Sequence, residues 1–379
     1  MDTARFRDDL NEIPAALERL ADAFEAGLEP LGRAQLLLAA PGTRVLVLGM
    51  GSSAYAADVV ARRARVEGRM VVSELASAVA LPAPAEDLVV VAVSATGGSA
   101  EVLAAVERYR GAGRLIAVTN RAESRLAQVA DLVVPLVAGD EVSGVSCRTF
   151  RHTFLVLDAL FGLAGAATGF GILAPGTGAS GAGLSGDGAS AAGLSVNGAY
   201  AAGVQESGIG SGSASASLAR ECARSAAALL EAAPSWIDEA THHLLGPQGT
   251  WVLAPVERLS SAQQSSLMMR EVPRRPAYAS ETGDWSHVDV YLSKTLDYRA
   301  LLFAGSAWDE QAAEWMRGRS ATLVTVGPTP LESEAALSIR YPGDDRPEIA
   351  LIVETLVGEL LAASWHEADP TYAWSPSLT

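Results

Sequence analysis

Hydrophobic and polar positions repeat with a helical period at the start of the chain. Between about Phe6 and Ala40, apolar residues recur at intervals of three and four positions, which predicts one buried face of a helix. We therefore expect residues 1–40 to form an N-terminal helical arm. The residues that carry this pattern are Leu10, Ile13, Leu17, Leu20 and Phe24.

From residue 41 the pattern changes to short apolar runs separated by helical segments. The runs occupy residues 45–48, 70–72, 88–93, 115–118 and 132–136. Alternation of this kind is typical of a parallel sheet with helices on both faces. It predicts a three-layer, doubly wound α/β domain over residues 41–164.

Alanine, glycine and serine dominate residues 165–217, and no lysine or arginine occurs between Arg151 and Arg220. Such a segment buries too little side chain to offset the entropy of ordering it, which predicts a flexible insertion. Helical and strand-like patterns resume after it, from a helix over residues 218–243 to a closing helix over about residues 348–364. We expect residues 218–379 to form a second α/β domain that repeats the first.

Composition narrows the classes of function. The 379-residue chain has a formal net charge of -16 and a pI near 4.8, which argues against nucleic-acid binding because that needs clustered lysine and arginine. Cys147 and Cys222 are too few for a disulfide framework or a zinc site, so we expect a cytoplasmic protein without a metal or other cofactor. Neither a secretory signal nor an apolar run of ~20 residues is evident, and no membrane partner is expected.

The first candidate site follows the strand predicted at residues 45–48. Gly49, Gly51, Ser52 and Ser53 lie between this strand and the next helix. Glycines allow a sharp turn, and a helix N-terminus flanked by hydroxyls offers N–H donors and a positive dipole to a phosphate. The same residues also fit a dinucleotide-binding fingerprint, in which Glu74 would bind the ribose. This motif alone therefore does not distinguish a phosphate ligand from a dinucleotide.

The second candidate site follows the strand predicted at residues 88–93. Ser94, Thr96 and Ser99 surround Gly97 and Gly98 at another strand-to-helix turn. Three hydroxyls with free backbone N–H groups suit one phosphate monoester, whereas a nicotinamide enzyme has no need of this loop. Helix capping is the alternative for each hydroxyl, but two such loops on adjacent α/β units favour a bound ligand.

These motifs, with residues 118–131 and 138–150, fall in the order and spacing of sugar isomerase (SIS) domains. The chain resembles the isomerase module of glucosamine-6-phosphate synthase and its stand-alone relatives, which include amino-sugar-phosphate deaminases. The likeness is strong in the first domain and looser in the second. It implies two SIS domains, each a flavodoxin-like parallel sheet flanked by helices, and a sugar phosphate as the small-molecule partner.

The resemblance also implies which residues contact the substrate. One turn would lie near the sugar, the second would bind the phosphate, and a third loop at residues 138–150 would line the sugar. In that order, the implied residues are Gly51, Ser52, Ser53, Ser94, Thr96, Gly97, Ser99, Glu141, Gly144 and Val145.

Two further residues would carry the catalysis. Glu271 resembles the catalytic glutamate of the family, and its interval to His287 matches a ring-opening histidine that a neighbouring subunit donates. The resemblance therefore implies a homodimer with sites completed across the interface. Aldose–ketose interconversion needs the sugar ring opened and a proton moved between C1 and C2 through a cis-enediol. A carboxylate can shuttle that proton, and an imidazole can serve the ring oxygen.

The chain departs from the family at its lysines. Met268 stands where relatives place a lysine one turn before the glutamate, and the C-terminal segment lacks a second one. Lys294 is the single lysine, and a surface position is the simpler account of it, so we expect no lysine-imine mechanism. The start Met1-Asp2 has no cysteine nucleophile, so we expect no glutaminase activity.

Three functions from different classes therefore stand beside one another. The first is a phosphosugar isomerase or an amino-sugar-6-phosphate deaminase. The second is a non-catalytic protein that binds or senses sugar phosphates. The third is a nicotinamide oxidoreductase, whose melting temperature NAD would raise when phosphosugars do not.

Overall fold

The computed structural model describes residues 2–164 and 210–368, and within them two five-stranded sheets. The strands of the first sheet are β1 (Arg44–Gly49), β2 (Met70–Leu75), β3 (Leu88–Val93), β4 (Leu115–Thr119) and β5 (Leu132–Pro135). Those of the second are β6 (Thr250–Ala254), β7 (Ala277–Glu281), β8 (Arg299–Phe303), β9 (Thr322–Val326) and β10 (Leu337–Ile339).

Both sheets are parallel throughout and have the same strand order. The order is β2-β1-β3-β4-β5 in the first sheet and β7-β6-β8-β9-β10 in the second. In each, the chain leaves the first strand for one neighbour and then crosses to the other side, which creates a topological switch point. The predicted α/β class and the repeat of one domain by the other are confirmed.

Helices cover the two sheets. The first half contains α1 (Thr3–Asn11), α2 (Ile13–Glu25), α3 (Glu29–Ala39), α4 (Ser52–Val66), α5 (Ala100–Val106), α6 (Arg125–Val129) and α7 (Arg148–Phe161). The second contains α8 (Gly210–Ala232), α9 (Ile237–Leu244), α10 (Leu259–Glu271), α11 (Thr282–Trp285), α12 (Asp309–Arg317), α13 (Pro347–Val353) and α14 (Thr355–Ala368).

The N-terminal arm consists of three helices, where the apolar period indicated one helical segment. The chain breaks at Glu12, just before Pro14 in the first turn of α2, and again at Gly27, which has a φ of 75°. A proline has no N–H to donate and favours the first turn of a new helix. The apolar face is buried as predicted, and the arm packs on both domains: α3 lies on α7 of the first, whereas α1 and α2 lie on α14 and α8 of the second.

The helix that opens the second half begins earlier than its composition indicated. Residues 165–209 of the predicted insertion lie outside the described residues, but α8 starts at Gly210, eight positions before residue 218. Ser215 and Ala216 are buried, and a Cβ on Gly212 would lie 3.1 Å from the carbonyl oxygen of Phe24. Small side chains let α8 approach α2 closely, so tertiary packing stabilises a helix in a sequence of low apolar content.

A buried ion pair joins the last helix of each domain. The Arg151 guanidinium on α7 donates two hydrogen bonds to the Glu359 carboxylate on α14, at 2.9 and 2.8 Å, and both side chains are fully buried. Arg151 also donates to the Thr355 hydroxyl and to the Cys147 carbonyl oxygen, each at 2.9 Å. The two parallel hydrogen bonds of this pair offset the free energy that both charges lose when they are removed from water.

The segment predicted as one closing helix over about residues 348–364 forms two helices, α13 and α14, and both lie in the core of the second domain. The segment Pro347–Ala368 has the length and hydropathy of a membrane span, but 94% of its apolar window is buried inside the protein. A Cβ on Gly358 would lie 2.5 Å from the Ser265 side chain, so α14 and α10 are in close contact there. These observations show that the apolar segment is covered by other parts of the same protein, as in a core helix.

We expect Glu359→Gln to lower the free energy of unfolding by about 3–5 kcal/mol, because it leaves the buried Arg151 charge without its counter-ion. Glu367→Gln on the same helix is the matched control. Its partner is Arg7, both side chains are exposed, and such pairs contribute about 1 kcal/mol or less. Urea denaturation measures both values, and equal losses for the two variants would contradict the role of the buried pair.

Candidate functional site

The two hydroxyl-rich turns lie side by side at the carboxyl edge of the first sheet. Strands β1 and β3 are hydrogen-bonded neighbours, with Leu48 opposite Ala92. The turn after β1 therefore lies beside the loop after β3, at the switch point of the strand order. Clefts at such points are the usual ligand sites of open α/β sheets.

The turn after β1 has the geometry that its glycines require. A Cβ on Gly49 would lie 3.0 Å from the Ala54 backbone nitrogen, and Gly51 has a φ of 52°. The side chains of Ser52 and Ser53 are half-buried at the start of α4, and no hydrogen-bond partner for their hydroxyls exists within residues 2–164 and 210–368. Helix capping therefore does not account for these two serines.

The loop after β3 is closed by its own side chains. The buried Ser94 hydroxyl accepts the Gly97 N–H at 3.1 Å and lies 3.1 Å from the Ser99 hydroxyl. The Thr96 hydroxyl accepts the Gly98 N–H at 3.3 Å. Ser99 precedes α5 without a side-chain capping bond. The loop thus has a defined shape before any ligand arrives, which reduces the entropy lost on binding.

In the third loop, residues 138–150, the carboxylate of Glu141 has a structural role. The Glu141 carboxylate accepts the N–H groups of Cys147 and Arg148 at 2.7 and 2.6 Å and the Thr149 hydroxyl at 2.6 Å. It therefore caps the start of α7, where a negative charge is stabilised by the helix dipole. Gly144 is exposed with a φ of 78°, and Val145 is buried.

The N-terminal arm contributes a residue that the sequence analysis missed. Asp9 on α1 is buried, and its carboxylate accepts the N–H groups of Val142 and Ser143 at 3.0 and 2.8 Å. The same carboxylate accepts a hydrogen bond from Arg148 at 2.8 Å. Asp9 thereby holds the third loop against the N-terminal arm. Its one sequence signal was an acidic residue directly beside the apolar stripe of the arm.

Helix α10 brings the second domain to this edge of the first sheet. Near the start of α10, Glu257 lines a surface cleft together with Val59 and Arg62 in the C-terminal half of α4. Midway along α10, the Gln264 side-chain amide donates to the Ser146 carbonyl oxygen at 2.7 Å, in the third loop. The helix therefore runs toward the edge on which the serine turns lie, and Glu271 is its last residue.

Glu271 is exposed at the end of α10, but neighbouring protein atoms shield part of its carboxyl group from water. This partial burial raises the pKa of its carboxyl group above the ordinary value, and the neighbouring Arg270 charge opposes the shift. A raised pKa suits a carboxylate that takes up and releases a proton near neutral pH. Met268, one turn earlier, is fully buried.

His287 lies at the other end of the second sheet. It is exposed in the segment after α11, which follows the carboxyl end of β7, whereas Glu271 precedes the amino end of that strand. The five residues of β7 span about 16 Å. Within one chain, the structure therefore separates these two predicted residues.

Comparison with known proteins decides the family of the first domain. The family model described as SIS domain matches residues 37–163. These residues form a SIS domain. Over 158 residues, the chain is 37% identical to a glutamine–fructose-6-phosphate aminotransferase (isomerizing) from Aeropyrum pernix, an alignment that covers 40% of this chain and 25% of that relative. The chain thus matches about a quarter of the length of this curated relative.

Solved structures extend the likeness in fold to the second domain as well. Tagatose-6-phosphate ketose/aldose isomerase from Escherichia coli aligns with a TM-score of 0.71 and 15% identity, covering 99% of this chain and 98% of its own. Glucosamine-6-phosphate deaminase from Thermotoga maritima aligns with a TM-score of 0.59 and 17% identity, covering 98% and 96%. At these identities the likeness shows a shared fold, two parallel α/β domains in tandem.

We expect Gly97→Ala to destabilise the SIS domain more than an ordinary glycine replacement. Gly97 has a φ of 62°, and a Cβ there would lie 2.0 Å from the Ser124 hydroxyl. Gly111→Ala is the matched control, because Gly111 has a φ of 75° and open space around it. Backbone strain should cost each variant about 1–2 kcal/mol, and steric overlap should add about 1–3 kcal/mol at position 97.

Urea denaturation of both variants measures this difference. Adding Ser124→Gly to Gly97→Ala removes the atoms that clash, so it should recover the steric part of the loss. Equal destabilisation of the two alanine variants would show that the loop is looser than the structure indicates.

Proposed function

We propose that the protein binds a sugar phosphate at the carboxyl edge of the first SIS domain and isomerises or deaminates it through a cis-enediol or enediolamine intermediate. The observation that carries this proposal is the pairing of β1 with β3, which brings two hydroxyl-bearing turns together. A site limited to one sheet edge suits a small ligand. Both cysteines are buried and unpaired, which supports the reducing cytoplasm as the compartment.

The phosphate is assigned to the turn after β3 and the helix start after β1. Ser94, Thr96, Gly97 and Ser99 form the first element, and α4 directs its N-terminal dipole to the same edge. The Ser52 and Ser53 hydroxyls have no partner within the described chain, so they are available to sugar or phosphate oxygens. Neutral donors and a helix dipole together stabilise a phosphate dianion without a lysine.

Glu271 is assigned the proton transfer between C1 and C2. The direction of α10 and the raised pKa of the Glu271 carboxyl group support this role. His287 is assigned to ring opening in the site of a second copy. Its separation from Glu271 along β7 supports the homodimer, because a single chain does not unite the two groups.

One observation favours the alternative, a non-catalytic sugar-phosphate-binding protein. Met268 is fully buried where relatives have a lysine, and Lys294 lies 5.8 Å above the Tyr291 ring in the exposed segment after His287. Within one chain, no lysine therefore replaces the missing amine on α10. The proposed chemistry relies on the Glu271 carboxylate and the His287 imidazole.

We expect Glu271→Gln to abolish proton exchange while phosphosugar binding is retained. Losing a general acid–base group lowers the rate about 10²- to 10⁴-fold. Deuterium uptake from D₂O at C1 of fructose 6-phosphate, followed by NMR, measures the exchange, and calorimetry measures the binding. Glu314→Gln, which changes an exposed carboxylate on α12, is the control. Binding by the unmodified protein without any exchange would support the non-catalytic alternative.

The pH profile supplies a second test of Glu271. A base must be deprotonated, so activity should fall as the pH drops through the pKa of this carboxyl group. Because burial raises that pKa above the ordinary 4.5, the acidic limb should have its midpoint above this value. A limb at or below 4.5 would mean that another group accepts the proton.

Mixing two inactive variants tests the shared site. Glu271→Gln and His287→Asn homodimers should each be inactive, but a mixed dimer contains one site with both groups intact. After subunit exchange at equal amounts, activity should recover to about a quarter of the unmodified level. If activity does not recover while mixed dimers are shown to form, His287 does not act in the site of a partner.

A further inference from the structure

Each sheet has an edge strand that directly follows its first strand in the chain, β2 in the first sheet and β7 in the second. Alternate residues of an edge strand direct their N–H and C=O groups away from the sheet, because the residues between them make the ladder bonds. On β2 the ladder residues are even-numbered, since Ala76 donates to the Gly49 carbonyl oxygen. On β7 they are also even-numbered, since the Pro276 carbonyl oxygen accepts the Thr250 N–H. The outward residues are therefore Val71, Ser73 and Leu75 on β2, and Ala277, Ala279 and Glu281 on β7.

The edge of β2 is closed by groups of the first domain. The Arg65 guanidinium donates to the Val71 carbonyl oxygen at 3.0 Å, and the Val71 N–H donates to the Arg69 carbonyl oxygen at 3.1 Å. At the other end of the strand, the Leu75 carbonyl oxygen accepts the Ala78 N–H at 2.9 Å. Occupied backbone groups of this kind keep an edge strand from pairing with another chain.

The edge of β7 is open by comparison. Among the described residues, no hydrogen bond outside the sheet ladder engages the backbone of Ala277 or Ala279. Next to the strand, the Ser280 hydroxyl donates to the Asp289 carboxylate, which holds the segment after α11 against β7. That segment presents Val288, which is 59% exposed. An open edge with an apolar side chain beside it is a surface on which another strand can add.

The charges that flank β7 have opposite signs at its two ends. Arg274 is exposed before the strand, and Asp284 is exposed after it. Neither side chain forms an ion pair within the part of the chain that the structure describes. Each lies five positions from Ala279, the middle residue of β7. If the added strand is an antiparallel second copy of β7, each charge therefore meets its opposite, at both ends of the interface.

The proposed catalytic residues have the same symmetry about the strand. Glu271 and His287 each lie eight positions from Ala279, in opposite directions along the chain. Within one chain they lie at opposite ends of β7. Antiparallel pairing brings the carboxyl end of one strand to the amino end of the other. It therefore places His287 of the partner subunit at the end of β7 where Glu271 lies.

We propose that two copies of the chain associate through antiparallel pairing of their β7 strands, with the two-fold axis at Ala279. The Ala279 N–H of each copy donates to the Ala279 carbonyl oxygen of the other, and the backbone of Ala277 pairs with that of Glu281. The second sheets of the two copies thereby form one continuous sheet. The delivery of His287 to the site of the other copy rests on the proposed function, whereas the interface itself rests on the open edge and the flanking charges.

Ala279→Pro tests the interface, because it removes an outward N–H without removing a ladder bond to β6. Sedimentation velocity should show a dimer of the unmodified protein, and the variant should raise the dissociation constant of the dimer by about 30-fold or more, since each dimer loses two hydrogen bonds. Proline is tolerated at outward positions of edge strands, and circular dichroism checks that the variant is folded. Ser73→Pro at the outward position of β2 is the matched control, and its dimer should persist.

A charge exchange tests the same interface without a change in the strand. Arg274→Asp and Asp284→Arg, each alone, place like charges together at both ends of the interface and should weaken the dimer about 3- to 30-fold. The double variant restores opposite charges and should recover the unmodified affinity. A monomeric unmodified protein, an equally stable dimer of Ala279→Pro, or a double variant no tighter than the single variants would each overturn the interface.

Activity separates this proposal from the proposed function. Ala279→Pro should lose proton exchange at C1 as completely as His287→Asn does, and it should still bind fructose 6-phosphate in the first domain. Full exchange activity in a monomeric Ala279→Pro variant would overturn the delivery of His287 through β7. A dimer that Ala279→Pro dissociates, but that shows no exchange in its unmodified form, supports the interface and contradicts the proposed function alone.

Discussion

The buried pair of Arg151 and Glu359 joins the two domains, and the geometry of the candidate site depends on it. Two charges removed from water are tolerated only when their hydrogen bonds are complete, so the pair accepts a single register of α7 against α14. Gly358 beside Glu359 places α14 in contact with Ser265 on α10. The register is thereby transmitted to α10, and with it the direction in which Glu271 is presented.

The two sheets show how one backbone arrangement supports different chemistry. Strand order and pairing are the same in both domains, so each has a topological switch point at its carboxyl edge. In the first, glycine turns leave the Ser52 and Ser53 hydroxyls unpaired. In the second, the Asp309 carboxylate accepts the backbone N–H groups of Gly305 and Ser306. Side chains at a few turn positions therefore decide which hydrogen-bonding groups each edge leaves free.

The sequence predicted the hydroxyl-rich turns well, because the geometry of a turn is set by residues next to it in the chain. Gly49, Gly51 and Gly97 occupy positions where a side chain would clash or where φ is positive. Contacts between residues far apart in the chain could not be predicted from the sequence. Asp9 supports a loop more than 130 residues away, and Glu141, which a family resemblance assigned to the sugar, directs its carboxylate to the start of α7.

Local pattern by itself therefore determined the α/β class, the repeat of one domain by the other and the two serine turns, since each follows from periodicity or from neighbouring residues. Tertiary structure alone decided the three helices of the arm, the early start of α8, the direction of α10 and the separation of Glu271 from His287. It also placed the Asp309 carboxylate on the backbone N–H groups that follow β8. These features depend on which distant side chains share a buried environment, and no spacing along the chain encodes that.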